Sequence, residues 1–351
     1  MIGRAIALLV ISACAANAQQ PATKKAARPV NPALAVVSRK IQPDALRAHV
    51  MFLSSDLLEG RDTPSRGLDI AGEYAASTFQ RLRLEPIGDQ GFFQIVVLRP
   101  ENPNSPKSRN VAALLRGSDP ALNDTYVIVS SHYDHIGLAK DGEDRIFNGA
   151  NDDASGVASV LGAAEALSSL PQRPKRSVIF LLFCGEERGL RGSRYYGQHP
   201  LVPLEKTIAQ LNLEQTGRTD DSEGPHVGVA NLTGFDYSDL TQTLIRAASL
   251  TGIQMVKVSA ASDAYFTRSD NASLARAGIP AHTLSVAYDF PDYHKVSDTW
   301  DKLDYENMAK VDRAVALAIL DLANSPKAPE WNTTLDATKP YRDAAAKLAA
   351  K

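Results

Sequence analysis

Three short stretches of the chain bring together residue types that bind divalent cations. They are Ser131-His132-Tyr133-Asp134-His135, then Gly149-Ala150-Asn151-Asp152-Asp153-Ala154-Ser155-Gly156, then Cys184-Gly185-Glu186-Glu187. Imidazole nitrogens and carboxylate oxygens are the ordinary ligands of zinc and similar metals. Of two adjacent glutamates at a turn, one can hold a metal while the other stays free to move a proton. Each stretch also has an ordinary explanation. A lone histidine is usually structural or solvated, Asp152 and Asp153 could cap a helix, and Glu186-Glu187 could be a solvated turn. Taken singly the ordinary explanations win. Three such clusters at three successive strand ends favour a site.

The elements that would position them follow from apolar periodicity. Residues 126–130 are a β-branched run that ends just before His132, and residues 177–183 are an unbroken apolar stretch that ends just before Cys184. Such runs suit parallel strands buried on both faces. Between them, residues 153–170 carry Val157, Leu161, Ala164 and Leu167 at helical spacing. Residues 92–98, 110–115, 207–213 and 279–286 also read as strands, and residues 44–58 and 71–84 as helices. Helices alternating with apolar strands predict one three-layer α/β domain with a central mixed, mostly parallel sheet. Ligands of such sheets sit beyond the carboxyl ends of the strands, where all three clusters fall.

The 351 residues are 44% hydrophobic and 22% charged with a net charge of −2, a globular composition. No basic block offers a surface for nucleic acid. Residues 1–18 read as a secretion signal: Arg4, an apolar run too short to span a bilayer, then Ala16-Asn17-Ala18. Export, to the periplasm or the medium, is the expectation. Ile11-Ser12-Ala13-Cys14 also matches a lipoprotein box, which would leave Cys14 as a lipid anchor. Residues 19–40 are expected to be a flexible leader, most biased in composition up to Pro32. Residues 41–325 would form the catalytic domain, and residues 326–351 a tail that is either a short helix or a frayed end. The two cysteines of the chain, Cys14 and Cys184, cannot make a disulfide framework in the mature protein.

The order and spacing of His132-Tyr133-Asp134, the residue 149–156 segment, Glu186-Glu187, Asn212-Leu213-Glu214 and Tyr293-His294 through Asp298-Thr299 resemble metallopeptidase family 28. Its members include secreted bacterial aminopeptidases, glutamate carboxypeptidase and glutaminyl cyclase. Ser269-Asp270 and Leu53-Ser54-Ser55-Asp56 with Glu59-Gly60-Arg61 resemble further family segments. The resemblance implies a phosphorylase/hydrolase-like zinc peptidase fold and two zinc ions, or other divalent metals. Asp152 would bridge them, Glu187 and His294 would complete one site, and His132 and Glu214 the other. Asp134 would orient the His132 ring. Glu186 would be the general base for a hydroxide bridging the metals, in hydrolysis of the N-terminal peptide bond of a peptide substrate.

This chain departs from the family at several places. Glu214 stands where Asp is usual, Gln215 where Met is common, and Asn271 where many relatives have His. Phe266 aligns with a substrate-binding Tyr, which leaves Tyr265 beside it as a candidate. His135 and His282 are expected to be structural or lining, and Cys184 a buried thiol. Asn231, Asn271 and Asn332 begin glycosylation acceptor patterns, which matter only in a eukaryotic secretory pathway. The short span 102–124 leaves no room for a lid domain, so an open site is expected. Rival readings are a carboxypeptidase or dipeptidase, for which Arg191, Arg194 and Arg268 are candidate carboxylate binders, a one-metal glutaminyl cyclase, or a non-catalytic binding relative.

Overall fold

In a computed structural model, Met1, residues 32–258 and residues 261–350 are described. The rest of the expected signal, Cys14 and residues 19–31 of the leader lie outside them. The strands in chain order are β1 (Glu85–Pro86), β2 (Phe93–Val97), β3 (Lys107–Leu115), β4 (Tyr126–His132), β5 (Ser177–Phe183), β6 (Thr207–Leu213), β7 (Asp220–Asp221), β8 (Gly224–Pro225), β9 (Val229–Leu232), β10 (Gln254–Val256) and β11 (Ala281–Ser285). The helices are α1 (Pro32–Lys40), α2 (Pro43–Leu53), α3 (Arg66–Arg81), α4 (Gly156–Ser168), α5 (Arg191–Gln198), α6 (Leu240–Thr251), α7 (Ala261–Ala264), α8 (Asn271–Arg276), α9 (Tyr305–Asn324) and α10 (Lys339–Ala349).

Except for the small β7–β8 pair, the strands form one sheet in the order β1-β3-β5-β4-β6-β11-β9-β10, with β2 also on β3. Its centre, β5-β4-β6-β11, is parallel. The flanks supply the antiparallel part of the expected mixed sheet. β3 runs antiparallel to β1, β2 and β5, and β9 antiparallel to β11. The reason at β3 is its connection: residues 98–106 return the chain from β2 as a hairpin, which only antiparallel neighbours allow.

Strand alternation sorts the apolar residues into two cores. Val127 and Val129 of β4 and Val178, Phe180 and Leu182 of β5 pack with helices that include α2, α3, α4 and α9. Tyr126, Ile128, Ile179, Leu181 and Phe183 point the other way, onto Tyr196 of α5, Leu274 of α8 and Trp331. Both faces are thus covered, which explains why β5 carries no polar alternation. Residues 32–40, expected within a flexible leader, are instead helical. Val37 buries in the first core with Leu34 packed against it, and the Arg313 guanidinium donates to the carbonyl of Ile41 at 2.8 and 3.0 Å. The tail resolves to the helical alternative, with Tyr341 of α10 stacked on Trp331. No helix among the described residues is long and apolar enough to cross a membrane.

From β4 the chain runs through α4 to β5 on one side, then through α5 to β6 on the other side of β4. This reversal opens a crevice beyond the carboxyl ends of β4 and β6, where doubly wound sheets place ligands.

Candidate metal centre

His132 ends β4, Glu186 and Glu187 follow β5, Glu214 follows β6, and His294 lies in the loop after β11. Parallel strands deliver all of these to one edge. Asp152 reaches the same edge from the turn Ala150–Ser155 ahead of α4, and its neighbours fix that turn. The Asp298 carboxylate accepts from the amides of Asn151 (3.0 Å) and Asp152 (3.1 Å). Asp153 Oδ1 accepts from the Gly156 amide (3.0 Å) and the Gln215 amide (3.1 Å). Asp153 is therefore the helix cap that the ordinary reading offered for both aspartates, and Asp152 is left to face the crevice.

The two Asp152 oxygens divide the cluster. Oδ1 lies 3.3 Å from His132 Nε2, which is 4.0 Å from Glu214 Oε1. Oδ2 lies 3.1 Å from His294 Nε2, which is also 3.1 Å from Glu187 Oε1. His132 Nδ1 is 3.1 Å from the Asp134 backbone carbonyl. A carbonyl only accepts, so Nδ1 carries the proton and Nε2 keeps its lone pair toward the carboxylates. Asp134 thus faces Nδ1 with both its main chain and its carboxylate, the latter 3.7 Å from Nδ1 and also accepting the Glu186 amide at 3.1 Å.

Whether these residues suit a metal can be judged from their unmet needs. Asp152 Oδ2, Glu187 Oε1 and His294 Nε2 are buried and make no aligned hydrogen bond, although they crowd within 3.1 Å of one another where paired. Buried polar atoms in that condition are costly, and a shared cation would satisfy all of them. The electrostatics agree. The Asp152 and Glu187 carboxylates beside it hold the His294 imidazole up at about 10, so the cluster draws positive charge. Burial would raise the Asp152 carboxyl, yet the surrounding His132, His294 and His135 rings hold it below the carboxylate range. Glu186 is different: burial, opposed by His132 and reinforced by Glu214, Asp270 and Glu187, pushes its carboxyl well up, as suits a group that accepts a proton.

Beside the cluster lies a cavity of about 300 Å³ whose lining includes His132, Asp152, Glu186 and Glu214 together with Tyr265, Tyr288 and Tyr293. Tyr265 faces it, whereas Phe266 is buried against Tyr237 and Trp331. Of the three candidate arginines only Arg268 lines this cavity, its guanidinium 4.5 Å above the Tyr265 ring. Cys184 is fully buried, and burial pushes its thiol up, as expected of an inert residue. His294 holds a left-handed backbone (φ 54°) with its ring stacked on Tyr293 at 4.0 Å. Strain of this kind persists where surrounding structure enforces it.

A model of peptidase family M28 matches residues 110–319, more than half of the chain. The chain belongs to peptidase family M28. Its relatives include a vacuolar membrane protease of Clavispora lusitaniae, 33% identical over 162 residues, which are 45% of this chain but 15% of that much longer protein. A probable zinc metalloprotease of Pyrenophora tritici-repentis is 24% identical over 345 residues, covering 86% of this chain and 79% of that protein. Among solved structures, the LapA aminopeptidase of Legionella pneumophila superposes with a TM-score of 0.64 at 19% identity, covering 87% of this chain and 79% of that one. A Bacteroides thetaiotaomicron glutaminyl cyclase bound to N-acetylhistamine gives 0.61 at 17%, covering 80% and 98%. At these identities the structures share the M28 fold, and fold alone does not choose between their reactions.

Sequence reasoning passed over several residues that build this site. Arg61 is fully buried and donates only to backbone carbonyls: Tyr133 (3.0 Å), Asn148 (2.8 Å), Gly149 (2.9 Å) and Leu53. It ties the His132 loop to the Asp152 turn. Asp298 and Arg61 both lie in segments that resemble the family, which was the available signal for them. His135 gave none beyond its place three residues after His132.

Proposed function

We propose that this chain is a two-metal aminopeptidase, exported as its residue 1–18 pattern suggests. The observation that carries the reading is the division of Asp152. One oxygen faces His132 and Glu214, the other faces Glu187 and His294, and Glu186 lines the same cavity as Asp152. Zinc, the metal named for the Pyrenophora relative, suits these nitrogen and oxygen donors. A pair of such ions held there would supply the Lewis acidity that activates a water and polarises the scissile carbonyl.

The protein's own groups do the rest. Glu186 takes a proton from the attacking water and returns it to the leaving amine, a task its raised proton affinity suits. Tyr265, a residue of the cavity wall, would donate its hydroxyl proton to the substrate carbonyl oxygen. At about 300 Å³ the cavity is at the small end for ligand pockets and suits one terminal residue rather than a long peptide. Glu186 and Asp289 on its wall favour a terminal ammonium, whereas a C-terminal carboxylate would find Arg268 alone.

The test is hydrolysis of aminoacyl-arylamides by protein loaded with zinc, cobalt or manganese, beside the same compounds N-acetylated and beside N-blocked dipeptides. Cleavage confined to free-amine substrates is expected. Cleavage of N-blocked dipeptides would move the chain to the carboxypeptidases, and metal-loaded protein inert on every substrate would end the enzymatic reading.

A further inference from the structure

We propose that His135 is a further ligand of the metal centre, so that its Glu187 half offers four protein donors and its Glu214 half three. This rests on the two-metal reading above. The His135 ring is fully buried, and neither ring nitrogen makes a hydrogen bond. A buried polar group left in that state is destabilising, so a partner is called for. Its Nδ1 lies 2.9 Å from Glu187 Oε1 and 3.8 Å from Asp152 Oδ2, without hydrogen-bond alignment to either. The rings of His135 and His294 stand 5.6 Å apart at 73°.

One donor atom from each of His135, Asp152, Glu187 and His294 lies within 4.8 Å of the other three. A tetrahedral zinc with bonds of ~2.0–2.1 Å sets its donors about 3.3 Å apart. The separations of 2.9, 3.1, 3.1 and 3.8 Å lie on both sides of that value. The backbone makes room for the ring. Gly149 has a left-handed φ of 58°, and a Cβ there would come within 2.5 Å of His135 Cγ.

A site with four protein donors is closed, and one with three keeps a position open. The Glu187 half therefore holds the tighter, more structural ion. The Glu214 half, which lines the cavity with Glu186, keeps the open position for chemistry.

The test is titration of zinc into apo-protein against a competing chelator, for wild type, His135→Phe (same ring volume, no nitrogen) and His135→Ala. Wild type should bind two equivalents of unequal affinity. Both variants should lose more than ~100-fold in the tighter one, beyond the ~10–100-fold typical of an outer partner, and keep the weaker one unchanged. X-ray absorption of the one-zinc protein should count two imidazoles in wild type and one in the variants. A smaller loss with an unchanged count overturns the proposal, as does a single imidazole in the one-zinc wild type, a measurement that needs no variant to fold. Failure of the wild type to bind zinc at all would instead remove the two-metal reading on which the proposal rests.

Discussion

Two fully buried histidines stand in contrasting surroundings. His282, on β11, sits among Phe266 and Trp331 with both nitrogens engaged, Nδ1 2.8 Å from the Thr233 carbonyl and Nε2 2.6 Å from Ser238 Oγ. His135 is equally buried but has no hydrogen bond on either nitrogen, while carboxylates converge on it. A satisfied polar group in a core fixes the fold and asks for nothing more. An unsatisfied one among like-minded neighbours marks a place built for something else. Burial does not separate structure from function here; hydrogen-bond satisfaction does.

That contrast can be pressed with substitutions. The largest effect is expected at Glu186→Gln, which should keep metal and fold but lose turnover by about 10²–10⁴-fold, as for removal of a general base; near-normal turnover would take Glu186 out of the mechanism. Next, His294→Ala should lower bound zinc by about one equivalent, read by elemental analysis, because it removes a donor. Equal metal in variant and wild type would break the assignment of the unsatisfied cluster. In the satisfied pocket, His282→Ala should cost about 2–4 kcal/mol in denaturant unfolding through a cavity and two stranded partners, with metal content unchanged. Lost metal in that folded variant would erase the distinction.

The smallest effect is a pH dependence. Burial lowers the His282 imidazole to about 4 from its ordinary 6.5. The unfolded chain then binds the extra proton first, so this stability is present above pH 6.5 and is lost as pH falls from 6.5 toward 4. The acid slope of the melting temperature should be shallower in His282→Gln than in wild type, measured on metal-free protein; identical slopes would mean that His282 does not titrate with unfolding.

What sequence alone could read follows the same physics. The strand at 177–183 matched its observed bounds to the residue because a strand buried on both faces has an unbroken apolar run, and the strand at 207–213 matched as well although Gln210 and Asn212 interrupt its apolar residues. β9 and β10 were missed: at four and three residues, they are too short to show alternation. α1 was hidden because little more than Val37 and Leu34 anchors it, and nothing in its composition tells of the core they meet. The metal-type residues converge as expected, but tertiary context alone separates Asp152 from its capping neighbour Asp153, or His135 from His282. A carboxylate beside a helix start and an imidazole near apolar residues look the same in one dimension.

Arg61 carries a consequence for where the working unit begins. The stretch recognised as M28 starts at residue 110, yet the guanidinium locked behind Tyr133, Asn148 and Gly149 comes from well upstream. A fragment trimmed to the recognised stretch would keep every candidate metal ligand and lose the bolt that clasps their loops, together with a fixed positive charge behind a pool of carboxylates. Such a fragment is a poor starting point for engineering, and the segment before it is a working part of the machine.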